Sequence, residues 1–456
     1  MRNGINFIVI CCCTLSPSLR GAPRDEYKRD FQKTAALANG RTLRVEHSLG
    51  NVNIRSHAAN QVSIQAAIRC SARNPEEART CTDRIQIHVD EGPSGVNVRT
   101  EYPRTQGRNN LSFSVDYEIA MPAGALLDLH NRFGSVTAAN LGAAVLIHNA
   151  NGRVTFTGGK GNHRLENSFG DVEVRTNAGD VTVRNANGNV TGSDVTGAVD
   201  ILNSFGATRV TNAGRGLTIH STNGNIDAGN VTGVTAITNT FGRVVVGEAK
   251  GDLTIDNQNG QVQVTGVTGS ATLRTTFDKV TASRIGKGLV VRATNAGVVA
   301  DTVGESAVVE TTFGSVDLRG VKGGARVTAQ NGAVRMVGVG GEVFAKSTFG
   351  GVDVSDAAGP VTVENQNGYV TAELRPGGRC QPVVLSTTFG PIRVGLPAGA
   401  GYNVTARTSF GRVHSQHEIT ISGDVAPTAL TGRIGAGGCE LRLTGQNGNI
   451  DILKGK

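Results

Sequence analysis

The chain has 456 residues, 38% of them hydrophobic and 18% charged, with 62 glycines, no Trp and 4% aromatic residues. That length supports an ample core and two to four domains. The 45 basic and 37 acidic residues leave a net charge of +8 with no Lys/Arg block, so a nucleic-acid partner is not expected.

Residues 1–22 read as a signal peptide: Arg2, an apolar stretch from Ile5 to Leu15, then Ser16-Pro17-Ser18 and small residues ending near Ala22. Cys11, Cys12 and Cys13 raise lipid anchoring, but Val9 and Ile10 before them are not the small residues a lipobox wants. No other segment approaches the ~18 apolar residues of a membrane helix, so no membrane span is expected. Four further cysteines, Cys70, Cys81, Cys380 and Cys439, form an even set. In an exported chain that is compatible with two disulfides, Cys70–Cys81 and Cys380–Cys439. No close Cys or His pair accompanies them, which argues against a metal site.

Residues 23–128 read as a β-rich capping region with one short helix. His47 to Ala66 resembles irregular coils, with Gly50-x-Val52-x-Ile54 and Val62-x-Ile64. Asn74-Pro75-Glu76-Glu77 supplies an N-cap, a proline at the first helical position and first-turn acids, which predicts a helix to about Thr82. Strands are expected over 85–89, 96–99 and 111–117, closing on Met121-Pro122-Ala123-Gly124.

Residues 129–372 form a regular repeat. Phe133, Phe169, Phe205, Phe241, Phe277, Phe313 and Phe349 are spaced by 36, and Asn151, Asn187, Asn223, Asn259, Asn295, Asn331 and Asn367 lie midway. Glycine follows nearly every member, and the elementary unit reads G-x-V-x-V plus a small polar turn. The column four residues earlier (Leu129, Ile147, Leu165, Val183 and onward) is apolar throughout and therefore faces inward. The next column, His130, His148, Glu166, Arg184, Leu202 and onward, is mixed and faces water. Asn131, Asn149, Asn167 and their successors then read as turn residues that tolerate left-handed backbone and bond their own main chain.

The coil is eighteen residues long, not thirty-six. At ~3.3 Å per strand residue, thirty-six would enclose a perimeter of about 120 Å, which Val, Ile, Leu and Ala could not fill to normal density. Eighteen residues give two short strands facing each other across packed sheets. The fold class is therefore all-β: one long β-solenoid of stacked eighteen-residue coils, fourteen of them regular. One coil buries too few aliphatics to offset its ordering entropy, so coils must stack and open ends need caps.

In residues 373–456 the spacing loosens: Phe389 lies 40 beyond Phe349, and Phe410 lies 21 further. These residues read as irregular coils and a C-terminal cap, ending on Asn447-Gly448-Asn449-Ile450-Asp451-Ile452. Both ends are expected to hide sheet edges.

No catalytic, cofactor-binding or metal residues are assigned. A calcium β-roll needs Gly and Asp where this chain has Val. A sugar-cleaving β-helix needs grouped carboxylates, and the outward column Thr137, Thr155, Glu173, Thr191, Arg209, Asp227 never places two acids on neighbouring coils. His130 and His148 fall on adjacent coils, roughly 5 Å apart if stacking holds, with Glu166 the only further ligand type in their column. His163 sits in an apolar column and reads as a distorted coil. His414 and His417 form a loose pair without a partner. The Phe column reads as structural, with rings sealing one corner; a ligand-stacking strip is the other reading.

The order of these motifs resembles the bacterial putative-adhesin family. The similarity rests on Gly50-Asn51-Val52, the helix after Pro75, Val115-Asp116-Tyr117 and Met121-Pro122, the N-G-x-V coils, and Gly432-Arg433-Ile434-Gly435 with Leu441-Arg442-Leu443. The resemblance implies an exported β-solenoid of the cell envelope or surface, with adhesion proposed and no catalytic residues or cofactors to carry over. The expected function is a non-enzymatic, adhesin-like binding or scaffold protein, its partner a surface polysaccharide or an envelope protein. The rivals are a carbohydrate-active enzyme on a β-helix and a structural or stress-sensing envelope component.

Overall fold

A computed structural model describes residues 25–103, 111–377, 379–422 and 426–455. The expected signal peptide, with Cys11, Cys12 and Cys13, lies outside the described residues.

The chain winds into a β-solenoid whose strands pair in parallel with partners eighteen residues on. Val145 pairs with His163, Ile147 with Leu165, Val154 with Val172 and Phe156 with Val174. Each coil contributes one strand to each of two facing sheets, as Val244–Lys250 and Leu253–Asn259 do. From Leu126–Phe133 to Val370–Leu374 the stack holds fourteen such strand pairs. Inward positions are dry. In one coil Val244, Val246, Ala249, Leu253, Ile255 and Asn257 are all at most 1% exposed.

Two devices break strict alternation in every coil. In the first sheet one residue per coil takes left-handed backbone: Asn140, Thr176, Asp194, Asn212, Glu248 and Arg284 have φ between 54° and 59°. The ladder steps over this residue, pairing Thr157 with Arg175 and then Gly159 with Asn177. The next side chain can therefore turn inward, as buried Asn177, Val195 and Ala213 do. In the second sheet the ladder steps over the residue before the ring column, pairing Asn149 with Asn167 and then Asn151 with Phe169. Alternation from Leu165 and Asn167 would carry Phe169 into the core. The skipped Ser168 turns it out instead.

The Asn131 column is also corrected. These residues are not at left-handed corners but point inward, 0–5% exposed at Asn131, Asn149, Asn167, Asn185 and Asn203. Asn131 Nδ2 donates to Asn149 Oδ1 at 3.0 Å, and Asn149 repeats the bond to Asn167. Each also donates to the glycine carbonyl three residues on. The expected main-chain bond is thus present, within a buried amide ladder.

At both ends the stacking order departs from chain order. Thr42–Glu46 pairs in parallel with both Gly95–Glu101 and Leu126–Phe133, and Val52–His57 lies between Ser112–Pro122 and Val136–Ala139. The earliest coil is therefore second in the stack. At the other end Cys439–Asn447 lies between Val383–Phe389 and Tyr402–Phe410, and Ile450–Lys454 lies between Ile392–Leu396 and Val413–Ser415. Antiparallel strands then cover the edges: Gln61–Ala72, Asp25–Ala36 and Gln86–Gly92 at one end, Ala429–Ile434 and Ile419–Ile421 at the other.

The helix spans Pro75–Arg84, with Asn74 Oδ1 accepting from the Glu77 amide at 2.8 Å. It packs on Asp25–Ala36 and Gln61–Ala72, and Cys70–Cys81 ties it there. The second disulfide joins Cys380 to Cys439, the first residue of the inserted coil.

Candidate functional site

The outward face of the second sheet carries a groove in two separate stretches. Its first stretch, about 800 Å³, has His130, His148, Glu166, Arg184 and Leu202 on one side and Arg132, Ala150, Ser168, Ala186 and Ser204 on the other. A second stretch of about 430 Å³ continues the same columns at Asp256, Arg274, Arg292 and Glu310 against Thr276, Thr294, Thr312 and Gln330. One wall carries most of the charge, and the other is uncharged after Arg132.

His130 and His148 stack with centroids 4.7 Å apart and planes 19° from parallel. His130 Nε2 meets Asp128 Oδ1 at 2.9 Å, and His148 Nδ1 meets Glu166 Oε2 at 2.8 Å. Each imidazole thus lies beside a different carboxylate. Among the described residues no three His, Cys, Asp or Glu side chains gather as a metal site. Glu173 has Thr155 and Thr191 as neighbours on the adjacent coils. His414 lies opposite Asp451 on the ladder, while His417 Nε2 meets the Leu453 carbonyl at 3.1 Å.

His163 is 3% exposed and packs against Phe156 with centroids 4.4 Å apart. Gly159 makes the room: a Cβ there would lie 2.3 Å from Phe156 Cε1 and 2.6 Å from His163 Nε2. The coil is compensated in volume. Burial lowers the His163 pKa to about 4, opposed by Asn177. A second buried histidine, His47, lies at the groove's first end, its Nδ1 3.2 Å from both Thr100 Oγ1 and the Tyr102 hydroxyl. Burial lowers its pKa to about 4 as well.

Beside the uncharged wall runs the Phe/Asn column, which does not seal the interior as expected. Phe133, Phe169, Phe205, Phe241, Phe277, Phe313, Phe349 and Phe389 are 49–55% exposed, and Phe410 is 74% exposed. The intervening amides are tied down: Asn151, Asn187, Asn259, Asn331 and Asn367 each donate from Nδ2 to a carbonyl of the coil below at 3.3–3.5 Å. The alternation outlasts the regular coils. Phe389 follows Asn367 in register, Asn447 follows Phe389, and Phe410 follows Asn447. The loosened 40- and 21-residue intervals hide a column that continues in space, because the late coil arrives between the two rings. Among the described residues no helix is long and apolar enough to cross a membrane.

No protein-family model matches the chain, and no curated protein matches it in sequence. Among solved structures, a putative cell adhesion protein from Clostridium sporogenes is similar at 14% identity and a TM-score of 0.24, covering 48% of this chain and 100% of its own. A putative adhesin from Bacteroides fragilis is similar at 13% identity and a TM-score of 0.23, covering 68% of this chain and 98% of its own.

Proposed function

We propose that this is a non-enzymatic, exported protein of the cell envelope or cell surface that serves as a rigid, adhesin-like binding scaffold. Its partner is a surface polysaccharide or an envelope protein. The observation that carries this reading is the uncovered ring column: nine half-exposed or more exposed phenylalanines in one line, on a stack whose core does not need them. Large apolar side chains left exposed at a regular interval along one line mark a surface that meets something. The two disulfides favour an oxidising compartment, and the covered edges suit a protein that must stay unaggregated outside the cell.

Protease treatment of intact and of lysed cells tests the location. Cleavage on intact cells places it on the surface, protection in intact cells with recovery in the envelope fraction places it inside the envelope, and recovery in the cytosolic fraction overturns export. A hydrolysis screen on polysaccharides tests the rest, since turnover of any polymer would replace the scaffold reading with the carbohydrate-active enzyme.

A further inference from the structure

We propose that the Phe/Asn column is a binding strip for an extended, uncharged β-1,4-linked polysaccharide lying along the stack axis, with one sugar face on each ring. This deepens the scaffold reading and rests on it.

Spacing comes first. Rings occupy every second coil, and coils in a parallel ladder lie about 4.8 Å apart, so rings recur at about 9.6 Å. In a β-1,4-linked chain successive pyranoses are turned over, and the two-sugar repeat is close to that length. Every second sugar thus presents the same apolar C–H face to the same side. A ring per coil would be too dense for this ligand, and a ring per three coils too sparse.

The chemistry between the rings agrees. Asn occupies each intervening layer; one N–H of its amide is spent on the coil below, which leaves the second N–H and the amide oxygen for hydroxyl groups. The residue before each ring from Phe169 onward is Ser or Thr. No residue of the ring column is charged, and after Arg132 the column before it holds only Ala, Ser, Thr and Gln. Such a strip, hydrogen-bonding and apolar but itself neutral, complements a neutral hydroxyl-rich polymer, and of the charges just outside it Arg153 pairs with Asp171 and Arg243 with Asp227.

The ends add an independent point. The late coil could have entered the stack with any side chain at this position, yet it inserts Asn447 between Phe389 and Phe410. The phase of the strip is kept where chain order is not.

Titration calorimetry on the full-length protein with cellohexaose, chitohexaose and maltohexaose, beside retention on cellulose and chitin, tests the proposal. The first two sugars distinguish glucose from N-acetylglucosamine chains; the third is α-linked and has the wrong repeat. We expect a β-linked hexasaccharide to bind and its disaccharide to bind more weakly. A hexamer spans about three of the nine rings, so Phe241→Ser with Phe277→Ser should lower the number of hexamers bound per chain, and Ser at all nine ring positions should weaken binding at least about tenfold. The phase variant Asn259→Phe with Phe277→Asn keeps the ring count but breaks the spacing locally, and should lower the number of hexamers bound per chain as ring loss does. An unchanged melting temperature shows that each variant still folds. Equal binding of maltohexaose, full binding by the phase variant, or indifference to ring loss overturns the proposal. So does a dimer of this chain that dissociates when rings are removed. Surface exposure without sugar binding would sink the strip alone, whereas polymer turnover would sink the scaffold reading beneath it.

Discussion

Asn447 donates from Nδ2 to the carbonyl of Thr388, 59 residues earlier in the chain, the bond that Asn367 makes to Thr348 across an ordinary coil. A side chain from the last described coil thus does a regular layer's work one coil inside the stack. The Cys380–Cys439 disulfide fastens the first residue of that coil to the loop before Val383–Phe389. Replacing both cysteines by serine should cost about 2–4 kcal/mol, the range for a native bridge. Hydrogen exchange should then show faster opening over 383–455 with the coils around 200–300 unchanged; uniform acceleration would refute a local clamp.

Glycine after the ring column is a steric demand of stacking. A Cβ on Gly188 would lie 2.2 Å from the Gly170 carbonyl oxygen, and its φ is +137°. Gly247, on an outward position, has nothing within 4 Å of a built Cβ. Gly188→Ala should therefore destabilise by on the order of 2–4 kcal/mol and Gly247→Ala by less than about 0.5. Thermal melting of the two variants side by side checks the contrast.

The buried amide ladder predicts a graded series. Asn203, fully buried, donates to the Gly188 and Gly206 carbonyls and lies 3.3 Å from Thr208 Oγ1. Asn203→Ala leaves buried partners unmet and should cost about 1–3 kcal/mol. Asn203→Thr should cost less, because Thr275 and Thr311 hold the same column and bond main-chain carbonyls there. Chemical denaturation of both variants decides it.

Two buried histidines set an acid limit on stability. His47 and His163 have folded pKa values near 4, against an ordinary 6.5. The unfolded chain takes up those protons as pH falls below about 6.5; the folded chain does not until about 4. Their contribution is therefore fully present above pH 6.5 and declines between 6.5 and 4, by at most about 1.4 kcal/mol per pH unit for each group. Val145 and Val181 hold the His163 column on the adjacent coils, so His163→Val should remove that residue's share of the slope. Parallel slopes for wild type and variant over pH 4–6.5 would disprove it.

The regular stack was legible because its physics is local and repeated: a column that is Leu, Ile or Val on coil after coil can only be core. The short helix was legible for the same reason, with Asn74 and Pro75 carrying the signal within four residues. Three features were not. Left-handed backbone falls on Asn, Asp or Gly in most coils, as at Asn140, Asp194 and Asn212, but also on Thr176, Glu248 and Arg284, while the more regular Asn131 column, which announces it more strongly, points inward. The rings face out because the ladder skips residues such as Ser168, and a skipped pairing leaves no mark in a pattern of period two. Nothing near Thr42 or Cys439 shows that its strand is flanked on both sides by strands later or earlier in the chain. The groove was foreseen only as columns of water-facing residues.

That reversed order has a mechanical consequence. In a stack built strictly in sequence, tension applied at the last coil peels it from a single neighbour, and the rod unravels layer by layer. Here a pull entering at Gly455 meets strands gripped on both faces, so two ladders must shear together before anything yields. Thr42–Glu46 is gripped in the same way at the opposite end. A filament secured like this can bear load along its axis with its middle coils undisturbed, and its weakest points lie in its outermost covers.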